Sequence, residues 1–206
     1  MLATSLAELS PFYERTTMVN VVVETSKGSS LKLKYDQDAQ IFRAHKVLPV
    51  GFSFPFSFGF IPHTIAGDGD PLDALILSHY KMPPGTVVVG QIISVLEAEQ
   101  KENGKPKQRN DRLIVTPWDM VADSPMLPEV SFDQTLKHAI TDFFTKYNEA
   151  QGKEFRPLTF APARRGIQLT REAIQEAKNK QATSNGNGMV APRFQPGSSR
   201  DSKKKR

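Results

Sequence analysis

Residues 52–73 read FSFPFSFGFIPHTIAGDGDPLD. The first half places Phe52, Phe54, Phe56, Phe58 and Phe60 at every second position. In an extended chain all five share one face, with Pro55 and Gly59 expected to bend it. Packed core outweighs a ligand-stacking surface as the reading of that stripe. The second half carries Asp68, Asp70 and Asp73 at i, i+2 and i+5. Three carboxylates so close repel one another unless a cation lies among them. Gly69 permits a tight turn, while Pro71 fixes its own φ and biases Asp70 towards extended backbone. Hard oxygen donors without nearby His or Cys point to Mg²⁺, Mn²⁺ or Ca²⁺, not zinc. A solvated acidic turn is the plain alternative. The spacing, the apolar segments on both sides and the basic residues in the preceding strands weigh against it. An EF-hand loop starting at Asp68 fails, because its sixth and twelfth positions hold Asp73 and His79 instead of Gly and Glu.

Outward from this stretch, the upstream chain alternates. Val21–Val23 and Leu31–Tyr35 read as strands around a turn at 25–30, and Lys32 and Lys34 share one face. Ile41–Val50, Val87–Leu96 and Leu113–Val115 are further strands, with Asn103-Gly104 as a hairpin signal between the last two. Leu136, Ile140, Phe143, Phe144 and Tyr147 mark one helix face, with Ser131 and Gln134 as its capping box. Thr170 is expected to cap a shorter helix ending near Lys180. Many short strands followed by helices predict a mainly β, α+β fold: a compact barrel with one or two helices packed outside. The boundaries read as an N-terminal extension over 1–18 with at most one helical turn, a barrel domain over 19–180, and a disordered basic tail over 181–206.

Composition narrows the function. The chain has 206 residues and 38% hydrophobic content, which suits one domain with tails. It has no cysteine, so thiol catalysis, thiolate metal sites and disulfides are excluded. No apolar run approaches the length of a membrane span, and the N-terminus lacks the pattern of a signal peptide; a cytoplasmic protein is expected. The net charge of +5 is misleading. Residues 180–206 carry seven Lys/Arg against Asp201, a net of +6, so residues 1–179 carry −1. A nucleic-acid or anionic-surface contact is therefore expected only through Lys203–Arg206, where a solvated tail is the commoner explanation.

The acids Glu24, Asp68, Asp70 and Asp73, the cations Lys32, Lys46 and Arg112, and the phenol of Tyr147 are the parts needed to bind a polyanion and split a phosphoanhydride. With D-G-D-P-L-D-A at 68–74, the chain resembles the soluble family I inorganic pyrophosphatases, whose signature that segment matches in full. The run F-P-F-S-F-G-F-I-P-H-T (54–64) is similar to the family's Y-P-x-N-Y-G-Y-I-x-H-T. V-V-V-E (21–24), L-K-L-K-Y (31–35), P-P-G-T-V-V-V-G (83–90) and F-F-T-K-Y (143–147) follow in family order. The resemblance covers roughly residues 18–155. It implies a five-stranded OB-like barrel, Mg²⁺ (or Mn²⁺) as cofactor, pyrophosphate as substrate and a homo-oligomer, hexameric in many bacteria. It implies Asp68 and Asp73 as metal ligands and Asp70 as the general base. It gives Glu24 as an acid holding a further metal through water, and Lys32, Lys46 and Tyr147 as phosphate binders.

The departures fall on the later strand pair. Gln100 and Asn110 stand where the resemblance implies metal-binding aspartates, and Arg112 where it implies a lysine. Asn110 keeps a carbonyl oxygen for a metal but no charge, and Arg112 keeps phosphate binding with changed geometry. Lys34 replaces an acid, Phe58 a tyrosine, Lys46 an arginine and Asn148 a lysine. Fewer carboxylates are expected to weaken metal occupancy. Asp111, Glu99 or Glu102 are the candidate substitutes, although Asp111 and Glu99 point away from Asn110 and Gln100 in an ideal strand. None of the four histidines is expected to be a ligand. The leading expectation is pyrophosphate hydrolysis by metal-activated water. The alternative is a catalytically weak or inactive homologue that binds phosphate compounds or a partner.

Overall fold

The computed structural model describes residues 5–102, 104–118 and 130–186. Nine strands and two α-helices follow in order: β1 (Val19–Thr25), β2 (Leu31–Asp36), β3 (Ile41–Val47), β4 (Ser57–Phe60), β5 (Asp73–Ile76), β6 (Val87–Glu102), β7 (Gln108–Arg109), β8 (Arg112–Pro117), α1 (Gln134–Glu149), β9 (Lys153–Pro162) and α2 (Ala163–Gly186). Strands β1, β4, β5, β8 and β6 pair in turn, and β6 returns to β1 through Val19↔Gly90 to Val22↔Val87. This closes a five-stranded ring, the expected OB-like barrel. Closure is possible because β6 is long and irregular. Its register shifts against β8 between Ile92 and Ser94 and against β9 between Glu97 and Ala98, and such bulges bend a strand and raise its twist.

Alternation along the strands divides the core. Val19, Val21, Val23, Ala74, Ile76, Leu113 and Val115 form one cluster with Ala173 of α2. Their sequence neighbours Leu75, Leu77 and Ile114 face the other way and meet Ile140, Phe144 and Tyr147 of α1. The phenylalanine stripe is core, as expected, with Phe54, Phe56, Phe58 and Phe60 all buried. It is not one face. Strand β4 begins only at Ser57, after Pro55, so Phe54, Phe56 and Phe58 join the α1 cluster while Phe60 packs with Val22 and Tyr35.

Several local expectations are corrected. The N-cap of α1 is Asp133, whose carboxylate accepts the Leu136 N–H at 2.9 Å, not Ser131. Both residue types cap well, and the sequence does not choose between them. Thr170 lies inside α2, where its hydroxyl donates to the Gly166 carbonyl at 2.8 Å. The helix starts at Ala163, directly after β9, and continues to Gly186. Strand β9 was not expected because Pro157 and Pro162 interrupt it. Among the described residues it pairs with β6 alone, and proline is tolerated on such an edge. The hairpin of β6 and β7 forms as expected (Glu99↔Arg109), although Asn103 lies outside the described residues. So do residues 187–206, which carry the basic run of the tail. The N-terminal segment has one short turn, Leu6–Glu8, packed near Val22 and Phe60. Among the described residues no helix is long and apolar enough to cross a membrane.

Candidate active site

The acidic loop is fixed by its backbone. Ile61 N–H donates to the Leu72 carbonyl (2.9 Å) and Ala66 N–H to the Asp70 carbonyl (2.7 Å), with Gly69 at φ +88° completing the turn. The Thr64 hydroxyl ties Ile61 to Leu72, donating to one and accepting from the other. The turn is thus held mainly by backbone, with one side-chain bond inside it, from Asp70 N–H to Asp68 Oδ1 at 3.2 Å. Asp73 then opens β5, whose parallel pairing with β8 sets it beside Arg112.

All nine residues singled out from sequence line one cavity of about 460 Å³: Glu24 on β1, Lys32 on β2, Lys46 on β3, Asp68 and Asp70 on the loop, Asp73 on β5, Asn110 between β7 and β8, Arg112 at the start of β8, and Tyr147 on α1. Lys32 and Lys46 are direct cross-strand partners. Two like charges opposed in this way repel each other, which an anion between them would relieve. Arg112 is buried. Its guanidinium lies 4.3 Å from the Phe144 ring centroid, donates to the Asn110 carbonyl at 2.8 Å, and has its Nε 3.9 Å from Asp73 Oδ2. That Nε has no hydrogen-bond acceptor among the described residues. Tyr147 combines both of its expected roles: its ring stacks on Phe143 while the residue borders the cavity.

Burial dominates the electrostatics. It pushes the Asp68 and Asp73 carboxyls above their usual range, against the pull of Arg112. It also lowers Arg112, although Asp73 and Asp68 oppose this. Glu24 is raised by burial to about 7, helped by Asp73 and resisted by the Tyr35 N–H bond (2.7 Å), Lys32 and Lys34. Its ordinary value in an unfolded chain is 4.5. Between these values the folded chain binds the extra proton, so stability falls as pH rises through the window and then levels off. Glu24→Gln should remove this slope, stabilising the chain by about 3 kcal/mol above neutrality and by little below about pH 5. Urea unfolding at the two ends of the window, with EDTA present, checks it.

The departures are also visible. Lys34 Nζ sits 2.8 Å from Asp70 Oδ2. Gln100 and Asn110 face each other across a hairpin, Asn110 Nδ2 donating to Gln100 Oε1 at 3.0 Å. The three nearby acids are each engaged by other groups. Asp111 accepts from Ala98 N–H and Arg109, and Glu99 pairs with Lys107. Glu102 borders the cavity but is shared by Lys105 and Lys153, which hold it down at about 2. Among the cavity residues that sequence reasoning did not single out are His45, Lys105, Gln151 and Lys153. His45 is the unpaired residue where the β2–β3 register shifts, between Lys32↔Lys46 and Leu33↔Ala44. Lys105 and Lys153 arrive through the pairing of β6 with β7 and β9, which no local pattern announces.

Two carboxylates that line the cavity suit a hard cation, since Mg²⁺ keeps several waters and needs only one or two carboxylates. Asp68 and Asp73 fit that demand. The Gln100–Asn110 pair, neutral and mutually bonded, does not. Among the described residues no three carboxylate or imidazole groups close into a metal cage.

A closed barrel with carboxylates facing cations across one polar cavity defines a class, the barrel proteins built around a polyanion. The sequence profile described as inorganic pyrophosphatase matches residues 21–179, and the chain belongs to that family. The inorganic pyrophosphatase of Aeropyrum pernix is 32% identical over 182 residues, covering 85% of this chain and 98% of that protein. That of Sulfolobus acidocaldarius is 34% identical over 150 residues, covering 70% and 82%. The crystal structure of the Thermus thermophilus inorganic pyrophosphatase superposes with a TM-score of 0.72 at 27% identity, covering 85% of this chain and 99% of that one.

Proposed function

We propose that this chain hydrolyses inorganic pyrophosphate to two phosphates. The observation that carries the reading is the convergence of the nine residues, drawn from separate strands, a loop and a helix, on one cavity. Mg²⁺ (or Mn²⁺) held by Asp68 and Asp73 would neutralise phosphate oxygens and make water acidic enough to attack.

The residues do the rest. Asp70 takes the proton of the attacking water as its oxygen bonds to one phosphorus and the bridging P–O bond breaks. Lys32 and Lys46 bind phosphate oxygens from opposing strands, and the buried Arg112 Nε finds in the substrate the acceptor it otherwise lacks. The Tyr147 hydroxyl donates to a phosphate oxygen. Glu24, poised near neutrality, moves a proton or holds a further cation through water. Charge neutralisation of the departing phosphate is the main electrostatic task, as in other phosphoryl transfers. A homo-oligomeric, cytoplasmic protein belongs to the same proposal, as does a domain boundary near residue 19.

The test is phosphate release by the intact chain from pyrophosphate at saturating Mg²⁺. Two phosphates per pyrophosphate are expected. Absence of turnover under those conditions rejects the reading.

A further inference from the structure

We infer that the end of the cavity around Gln100, Asn110, Lys105 and Lys153 is a direct phosphate subsite that holds pyrophosphate without a divalent cation. The inference rests on the pyrophosphate reading above and goes further, by assigning binding residues that the nine candidates do not include.

Charge along the cavity supports it. Around the acidic loop Glu24, Asp68, Asp70 and Asp73 are matched by Lys32, its cross-strand partner Lys46, Lys34 and Arg112. Beside Gln100 and Asn110, Lys105 and Lys153 share Glu102, an excess of one positive charge among the described residues. Glu102 is shared between Lys105 at 2.6 Å and Lys153, so one ammonium remains uncompensated. Lys46 Nζ donates to a neutral group, the side-chain oxygen of Gln151. A metal cation brought there would meet repulsion from the Lys105 and Lys153 ammonium groups and find two amides for ligands. An anion would meet the opposite.

A second observation points to a ligand. Gln151 Nε2 is buried and has no acceptor among the described residues, and Arg112 Nε is in the same condition. Both residues line this cavity. A buried donor left unpaired is costly, and a phosphate oxygen would satisfy each. The Asn110–Gln100 bond occupies one N–H of Asn110 and leaves the second N–H and the two N–H groups of Gln100 as further donors. Ammonium groups and amide N–H groups together suit a tetrahedral polyanion. Pyrophosphate seated across the cavity would have one phosphoryl group here and the other near Asp70.

The experiment is calorimetric titration of pyrophosphate into the intact chain in low-salt buffer with EDTA. One pyrophosphate per chain should bind without metal, more weakly as salt is raised. The variant Lys105→Gln/Lys153→Gln should bind about tenfold more weakly or worse, and Lys105→Arg/Lys153→Arg should restore binding. Lys105 is largely exposed and Lys153 partly so, and an unchanged thermal melt separates lost binding from lost fold. No binding until Mg²⁺ is added, or binding indifferent to the Gln variant, would overturn the inference. So would inorganic phosphate binding as tightly as pyrophosphate. The two readings fail separately. Metal-free binding without turnover in Mg²⁺ removes the hydrolase and keeps the subsite, whereas turnover without metal-free binding does the reverse.

Discussion

Asp70→Asn is expected to lower pyrophosphate turnover by about two to four orders of magnitude, the usual contribution of a positioned general base. The substitution removes the proton acceptor and keeps its shape. The loop should not notice. Its turn is held by Ala66 N–H on the Asp70 carbonyl and by the Thr64 hydroxyl, neither of which involves the Asp70 side chain. The side-chain bond lost is the one to Lys34, between groups 39% and 56% exposed, and such pairs contribute about 0–1 kcal/mol. Initial rates at saturating Mg²⁺ and pyrophosphate, with a melt of each protein, are sufficient. An Asn variant within a few fold of the parent would show that the proton goes elsewhere.

Gly59→Ala should strongly destabilise the barrel. Gly59 pairs with Val23 where β4 lies on β1, and a Cβ built there stands 2.0 Å from the Val22 carbonyl oxygen and 3.0 Å from Val23 Cα. Both neighbours are backbone, so no side chain can swing aside. The strands must separate, and β4 is held on its other side by β5 through Phe60↔Asp73. Overpacking usually costs 1–3 kcal/mol, and a backbone clash within a closed ring should exceed this, at about 4 kcal/mol or more. A domain of this size has only about 5–15 kcal/mol in hand. Denaturant midpoints measure the loss. A shift smaller than about 1 kcal/mol would mean that β4 does not approach β1 as described. Because Asp73 pairs with Phe60, the same substitution should also displace a candidate metal ligand.

Where local chemistry dictates local structure, the sequence was readable. Alternation gave β1, β2 and β3, the 3.6-residue spacing gave α1, and D-G-D-P-L-D marked the acidic turn. It failed where the deciding partner is remote. Strand β9 carries two prolines and is stable because β6 pairs along its whole length. The exchange of Ser131 for Asp133 as the cap of α1, and the early start of α2, turn on how each helix meets the barrel. The site divides in the same way. The nine candidate residues were named from their types and from family resemblance. Lys105, Gln151 and Lys153 were not, because each is an ordinary polar residue of a turn until the β6–β9 ladder brings Glu102 opposite Lys153.

The sequence by itself determined which chemistry is available: a barrel-forming pattern of strands, a stiff loop bearing three acids, a set of cations, and two amides at positions where the resemblance implies acids. Those are properties of residue type and spacing, which survive in an unfolded chain. Only the tertiary structure decided what each group faces. It bonded Gln100 to Asn110, turned Asp111 and Glu99 onto basic partners away from the cavity, and set Lys34 against Asp70. The physical reason is that Coulomb energy and desolvation depend on distance and burial, and in a barrel these are set by register between strands far apart in sequence.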